Sequence, residues 1–143
     1  MSRNNTVDIL NQVLTLQYRS LPMYLVYGAP WTHHGDEQAS AVLKNIVADQ
    51  ERISRRIAEE IYDRNAIPNP DDFPLEYAEL NFLSLEYLLG ELLADHTHNV
   101  AQLELLTTAL TEDAPAKALV EEVLGSARAH LDALQGLAKQ PTA

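Results

Sequence analysis

Asn65-Ala66-Ile67-Pro68-Asn69-Pro70-Asp71-Asp72-Phe73-Pro74, the first half of a connection that continues to Leu83, decides how the rest of the chain must be arranged. Three prolines and an acidic pair break any helical period. The apolar residues Phe73, Leu75, Tyr77, Leu80 and Phe82 follow with no clean helix start. Roughly 19 residues at up to about 3.3 Å each can travel the full length of a helical bundle. The flanking segments are both helical in period. Upstream, a helix is expected from about Glu37 to Arg64, with Asp36 as N-cap and Asn65, Pro68 and Pro70 as stops. Downstream, Ser84 caps a helix from about Leu85 to Leu110, although a start at Pro74 fits the pattern as well.

Two further helices flank this pair. The first spans about Val7 to Tyr27, and Pro22 should kink it, because proline cannot donate to the carbonyl four residues back, that of Tyr18. The last begins near Ala114, after the tight connection Thr111-Glu112-Asp113, with Asp113 as N-cap and Pro115 tolerated in the first turn. Residues 139–143 carry no structural signal. At 1.5 Å per residue each helix is about 30 to 40 Å long, so the four match. Short first and last connections make antiparallel hairpins, while the long middle one makes the second and third helices parallel. The expected architecture is a single all-α domain, 1–143, a four-helix bundle with one long crossover.

Each expected inward stripe is interrupted near its middle by a polar side chain. On the first helix Leu10, Val13, Gln17, Ser20 and Tyr24 align; on the second Val47, Glu51, Ser54, Ala58 and Ile61. On the third the stripe is Leu85, Leu89, Leu92, His96, Asn99, Leu103 and Leu106. On the fourth it is Ala116, Val120, Val123, Ala127, His130, Leu134 and Leu137. An ionised Glu51 on a buried face requires a partner or a metal. Two readings follow. In one, Glu51, His96 and His130 hold a single Fe, Mn or Zn ion, two imidazoles and a carboxylate, with Gln17 and Ser54 around them and the freed Tyr18 carbonyl as a further donor. In the other, Glu51 pairs with a protonated His96 or His130, Gln17 and Ser54 complete a dry hydrogen-bonded layer, and the bundle is an oligomeric interaction module.

Over nearly its whole length the chain resembles the ferritin and bacterioferritin superfamily, on the stretch Ala48 to Ile61 followed by Asn65-Ala66-Ile67-Pro68-Asn69-Pro70. The resemblance implies a ferritin-like bundle. In iron-oxidising members it also implies six ligands: a glutamate on the first helix, Glu-x-x-His on the second, a glutamate on the third and Glu-x-x-His on the fourth. By position these fall on Gln17, on Glu51-Arg52-Ile53-Ser54, on His96 (with Asp95 one residue away) and on Ala127-Arg128-Ala129-His130. Only Glu51 and His130 keep the family's residue. The resemblance therefore implies a degenerate di-iron site and a remodelled, mononuclear or weak metal site instead of a ferroxidase centre. Arg56-Ile57-Ala58-Glu59-Glu60-Ile61 is also similar to a stretch of the DNA-protecting starvation ferritins, whose metal-binding aspartate falls on Arg55. No fifth helix of the kind found in large ferritin cages follows Leu137, so a homodimer is the expected assembly.

Composition narrows the remaining classes. The 143 residues carry 21 acidic and 10 basic side chains, a formal charge of -11, which opposes nucleic acid and anionic membranes as partners. There is no cysteine, so thiolate metal sites, disulfides and thiol nucleophiles are excluded. Residues 1–8 lack the apolar core of a signal peptide, and a cytoplasmic location is expected. His33 and His34 beside Asp36 are expected to be solvated instead of ligating. Asp95 and His98, three apart, are expected to face water, and Tyr18, Tyr24, Tyr27 and Trp31 to pack at the rim. No Gly-rich phosphate loop or nucleophile elbow is present. The pattern assigns no catalytic residue and leaves limited iron oxidation or oxygen chemistry open to the metal site, and no organic cofactor is expected.

Overall fold

The computed structural model describes residues 3–28 and 35–139, with side chains from 5–26 and 35–139. The chain is mostly helical, with no strand among the described residues. Five α-helices follow in order: α1 (Arg3–Tyr18), α2 (Leu21–Gly28), α3 (Glu37–Asp63), α4 (Leu85–Ala109) and α5 (Ala114–Ala138), with a 3-10 helix at Leu75–Leu80. The expected first helix is therefore two. Pro22 does more than kink it: Arg19 N–H still donates to Thr15 O at 2.9 Å, but the helix is interrupted at Arg19 and Ser20, and α2 restarts with Pro22 in its first turn, where no amide donor is required. The single helix over Val7–Tyr27 is corrected on that ground.

The other boundaries follow local chemistry. Asp36 stands at the N-cap of α3, its carbonyl accepting from Ser40 N–H at 2.9 Å. At the far end Asn65 takes the left-handed conformation (φ 60°). Its amide donates to Tyr62 O and that of Ala66 to Ile61 O, a Schellman close that leaves Ala66 against the core. Ser84 caps α4, its hydroxyl accepting from Tyr87 N–H, which settles the start at Leu85 instead of Pro74.

The apolar core has two parts. One gathers Leu10, Val13, Ile53, Ile57, Ile61, Leu103, Val120 and Val123 among others; the second gathers Leu21, Leu25, Leu43, Ile46, Leu85, Leu88, Leu92 and Leu134. Each such side chain contributes about 1.5 to 3 kcal/mol of burial. Within α3, α4 and α5, and between α1 and α2, the two parts are separated by buried polar residues: Gln17 and Ser20 at the α1–α2 break, Gln50 on α3, His96 and Asn99 on α4, and His130 on α5. The polar layer thus cuts the core across its middle.

The connection between α3 and α4 lies against the first two helices. Asn69 N–H donates to Asn11 Oδ1 (2.7 Å), and Arg19 Nε donates to the Asp71 carbonyl (2.7 Å). The Arg19 guanidinium also stacks over Tyr18 and Phe73, at 4.7 and 4.9 Å from the ring centroids. Tyr24 meets Phe73 edge-on at 5.4 Å and Tyr77 at 5.6 Å, and its hydroxyl bonds Asn81. Tyr24 therefore anchors the connection. The side chains of Tyr27 and Trp31, read with it from the sequence, lie outside the described residues.

One end is fastened by charge. Asp113 caps α5 by accepting from Ala116 N–H and also receives Arg64 in a fork, Nη1 to Oδ2 at 2.6 Å and Nη2 to Oδ1 at 3.0 Å. The Arg64 guanidinium holds the Asp113 carboxyl below its usual range, and the two side chains are 17% and 19% exposed. Asp113→Ala should lower unfolding free energy by about 2 kcal/mol, the sum of a lost cap and a half-screened forked pair. Asp113→Asn, which keeps the cap, should recover about half of that, read from urea midpoints.

Candidate functional site

On α3 the buried residues are Leu43, Ile46, Val47, Gln50, Ile53, Ser54, Ile57 and Ile61. At 100° per residue the centre of that stripe is turned by roughly 60° from the one through Val47, Glu51 and Ala58. Glu51 is exposed, Ala58 is half-buried, and Gln50 (1% exposed) occupies the core position expected for Glu51. This corrects the expectation of a buried carboxylate. An isoleucine series, Ile46, Ile53, Ile57 and Ile61, is the apolar signal that turns the helix, and a neutral amide enters the core at far lower desolvation cost than a carboxylate.

The neutral layer is bonded across helices. Ser20 Oγ donates to Gln50 Oε1 at 2.7 Å and accepts from Met23 N–H, linking the α1–α2 break to α3. Asn99 Nδ2 donates to the Leu16 carbonyl at 3.4 Å. Gln17 is buried at 2% exposure, as its stripe position requires. Ser54 is buried too, and its hydroxyl has no hydrogen-bond partner among the described residues.

His96 and His130 do come together. Their rings meet edge-to-face with centroids 5.9 Å apart, and they are 1% and 8% exposed. His130 Nε2 donates to Asp49 Oδ2 at 2.9 Å, and this hydrogen bond is the leading cause that holds the Asp49 carboxyl below its ordinary range. His96 Nδ1 has no partner among the described residues. Burial first, and then repulsion from His130, push the His96 imidazole down to about 4, so it is neutral at pH 7. Glu51 does not join them: among the described residues no three His, Asp or Glu side chains form a group able to hold a metal ion. The residues of this layer therefore do not fit a di-iron centre, which needs several carboxylates to balance two ferric ions in a low-dielectric core.

No family model, curated protein or solved structure matches this chain.

Beside the layer lies a carboxylate that sequence reading turned outward. Asp95 accepts from Leu21 N–H through Oδ2 (3.1 Å) and from the Tyr77 hydroxyl through Oδ1 (2.6 Å). It covers an amide at the start of α2 and ties it to the 3-10 helix. Burial raises its carboxyl, opposed by those two bonds, and burial together with the Asp95 charge pushes the Tyr77 phenol upward. His98, its expected companion, is exposed. His33 and His34 lie outside the described residues. No described helix is long and apolar enough to cross a membrane.

Proposed function

We propose that the chain is a ferritin-like four-helix bundle in which the metal-bearing layer of iron-oxidising relatives has become a hydrogen-bonded structural layer, and that it works as an interaction module. In this reading α1 and α2 are one broken first helix and 64–84 is the long crossover. The assembly is a homodimer in the cytoplasm, without nucleic acid or membrane as a partner. The observation that carries it is the identity of the buried polar groups. Gln17, Ser20, Gln50, Ser54, Asn99 and a neutral His96 are uncharged, and the layer's carboxylates, Asp49 and Glu51, sit at or beyond its edge. Such a layer fixes helix register at small electrostatic cost. Apolar side chains left exposed on the crossover and the start of α4, Leu75, Phe82 and Tyr87, support a second copy as the partner.

Paired variants test the layer in chelator-treated protein. Gln50→Ala should cost about 3 kcal/mol, from the cavity and the stranded Ser20 hydroxyl, whereas Glu51→Gln should stay within about 0.5 kcal/mol of the parent. Equal effects in urea denaturation would remove the reading. Light scattering should give the mass of two chains, and a monomer at all concentrations would end the homodimer.

The close pair of imidazoles specifically favours a second reading, a weak single-ion site on His96 and His130 for Fe, Mn or Zn, without Glu51. Elemental analysis after incubation with each metal tests it: about one ion per chain, lost in His130→Ala, is its expected result.

A further inference from the structure

Turning Glu51 out of the core places it on the rim of a groove beside the polar layer. The groove, about 430 Å³, is lined by Leu14, Tyr18, Met23, Ala58, Pro68 and Pro70, with Glu51, Ser54 and Arg55 supplying its polar atoms. That size lies within the range of small-ligand sites, and the lining has their usual makeup, an apolar bed with few polar groups. Leu14 and Met23 are nearly fully buried, and the two prolines make a stiff wall from the crossover.

Two features set this groove apart from an accidental crease. Arg55 is the one arginine among those with described side chains that has no partner. Arg19 is held by Asp71 and two rings, Arg52 by Asp49, Arg56 by Glu122, Arg64 by Asp113 and Glu60, and Arg128 by Glu104. Glu51 lies one helical turn before Arg55, in the order that favours an ion pair on a helix, yet the two are not paired with each other or with anything else described. The second feature is the Ser54 hydroxyl, buried in the lining without a partner. Buried hydroxyls are ordinarily bonded.

We propose that this groove binds a small zwitterion with an apolar body, an apolar amino acid or dipeptide. Its carboxylate is received by Arg55, its ammonium by Glu51, and its side chains lie on Leu14, Met23, Ala58 and the prolines. Opposite charges on neighbouring turns select a ligand that carries both signs. They discriminate against simple fatty acids and simple amines, each of which would bring one charge against its like. Glu51 and Arg55 make none of the layer's hydrogen bonds, and Ser54, which the groove shares with the layer, has no partner in it.

The probe is the dipeptide leucyl-phenylalanine, compared with its N-acetylated and C-amidated forms, by calorimetry and by the methyl signals of Leu14 and Met23. The free dipeptide should bind and shift those signals. Each blocked form should bind at least about tenfold more weakly, a loss typical of one removed charged contact. Arg55→Gln should abolish the preference over the amide, and Glu51→Gln the preference over the acetylated form. Both side chains are exposed, so the fold should be retained, as checked by circular dichroism. Three results would overturn the proposal: no signal shift at millimolar dipeptide, equal binding of a blocked form, or binding indifferent to both substitutions.

Discussion

Asp95→Ala should lower the unfolding free energy by about 3 kcal/mol, because two hydrogen bonds to a mostly buried carboxylate disappear together and their donors are stranded. One donor is the Leu21 amide at the start of α2, exposed by the break at Arg19 and Ser20; the other is the Tyr77 hydroxyl. Tyr77→Phe removes one bond without stranding a donor and should cost about 1 kcal/mol. The double variant should then fall short of the sum, since the Tyr77 hydroxyl cannot be stranded twice. Asp95→Asn should be mild, because the carboxyl is already raised by burial and a neutral acceptor suits the site. Urea midpoints across the four proteins check the set. A wild-type-like Asp95→Ala would show that the capping bond adds nothing net to stability.

Acid should weaken the fold well above the carboxylate range, through His96. Its folded value lies near 4, below the ordinary 6.5, so between those values the unfolded chain binds the proton and the folded chain does not. Stability is therefore full above pH 6.5 and falls as pH drops, by about 2 kcal/mol at pH 5 and about 3 kcal/mol below pH 4. Asp95 works in the opposite sense: its carboxyl is raised in the fold, so falling pH protonates it more readily there than in the unfolded chain, which offsets part of the loss. Asp49 and Asp113 are lowered, so their contributions stand above pH 3.8 and fade only below it. His96→Leu, similar in size and free of the proton, should flatten the profile between pH 6.5 and 4.5. An unchanged slope in that variant would sink the assignment.

Where sequence reading succeeded, the deciding signals were local. Asn65, Ser84 and Asp113 mark helix ends by backbone chemistry, and each stands at the end it marks. The α5 stripe from Ala116 to Leu134 is buried throughout, since no neighbouring set of residues competes with it. On α3 two stripes share Val47, Ser54 and Ile61, and they differ by which of Gln50 or Glu51 is taken inside. The four-three spacing of Val47, Glu51, Ser54, Ala58 and Ile61 favoured the acid, while the isoleucines at 46, 53 and 57 pointed to the amide. Asp95 was illegible for another reason. Its donors come from residues 21 and 77, and one of them exists only because Pro22 ends helical bonding in front of it. His96 and His130 were legible as inward residues because both lie on mostly apolar rows, His130 alone on its row and His96 beside Asn99.

The three-way junction of Leu21, Tyr77 and Asp95 also bears on the order of events during folding. The α4–α5 hairpin and the α3 helix need only neighbouring chain, whereas the bond from Leu21 to Asp95 closes a loop across 74 positions. Contacts of such long span are entropically late. The junction should therefore be absent when the hairpin first forms and should set only as the segment between α3 and α4 settles on α1 and α2. Weakening it would then leave the folding rate nearly unchanged and hasten unfolding, making this junction the latch that governs how long the folded chain persists.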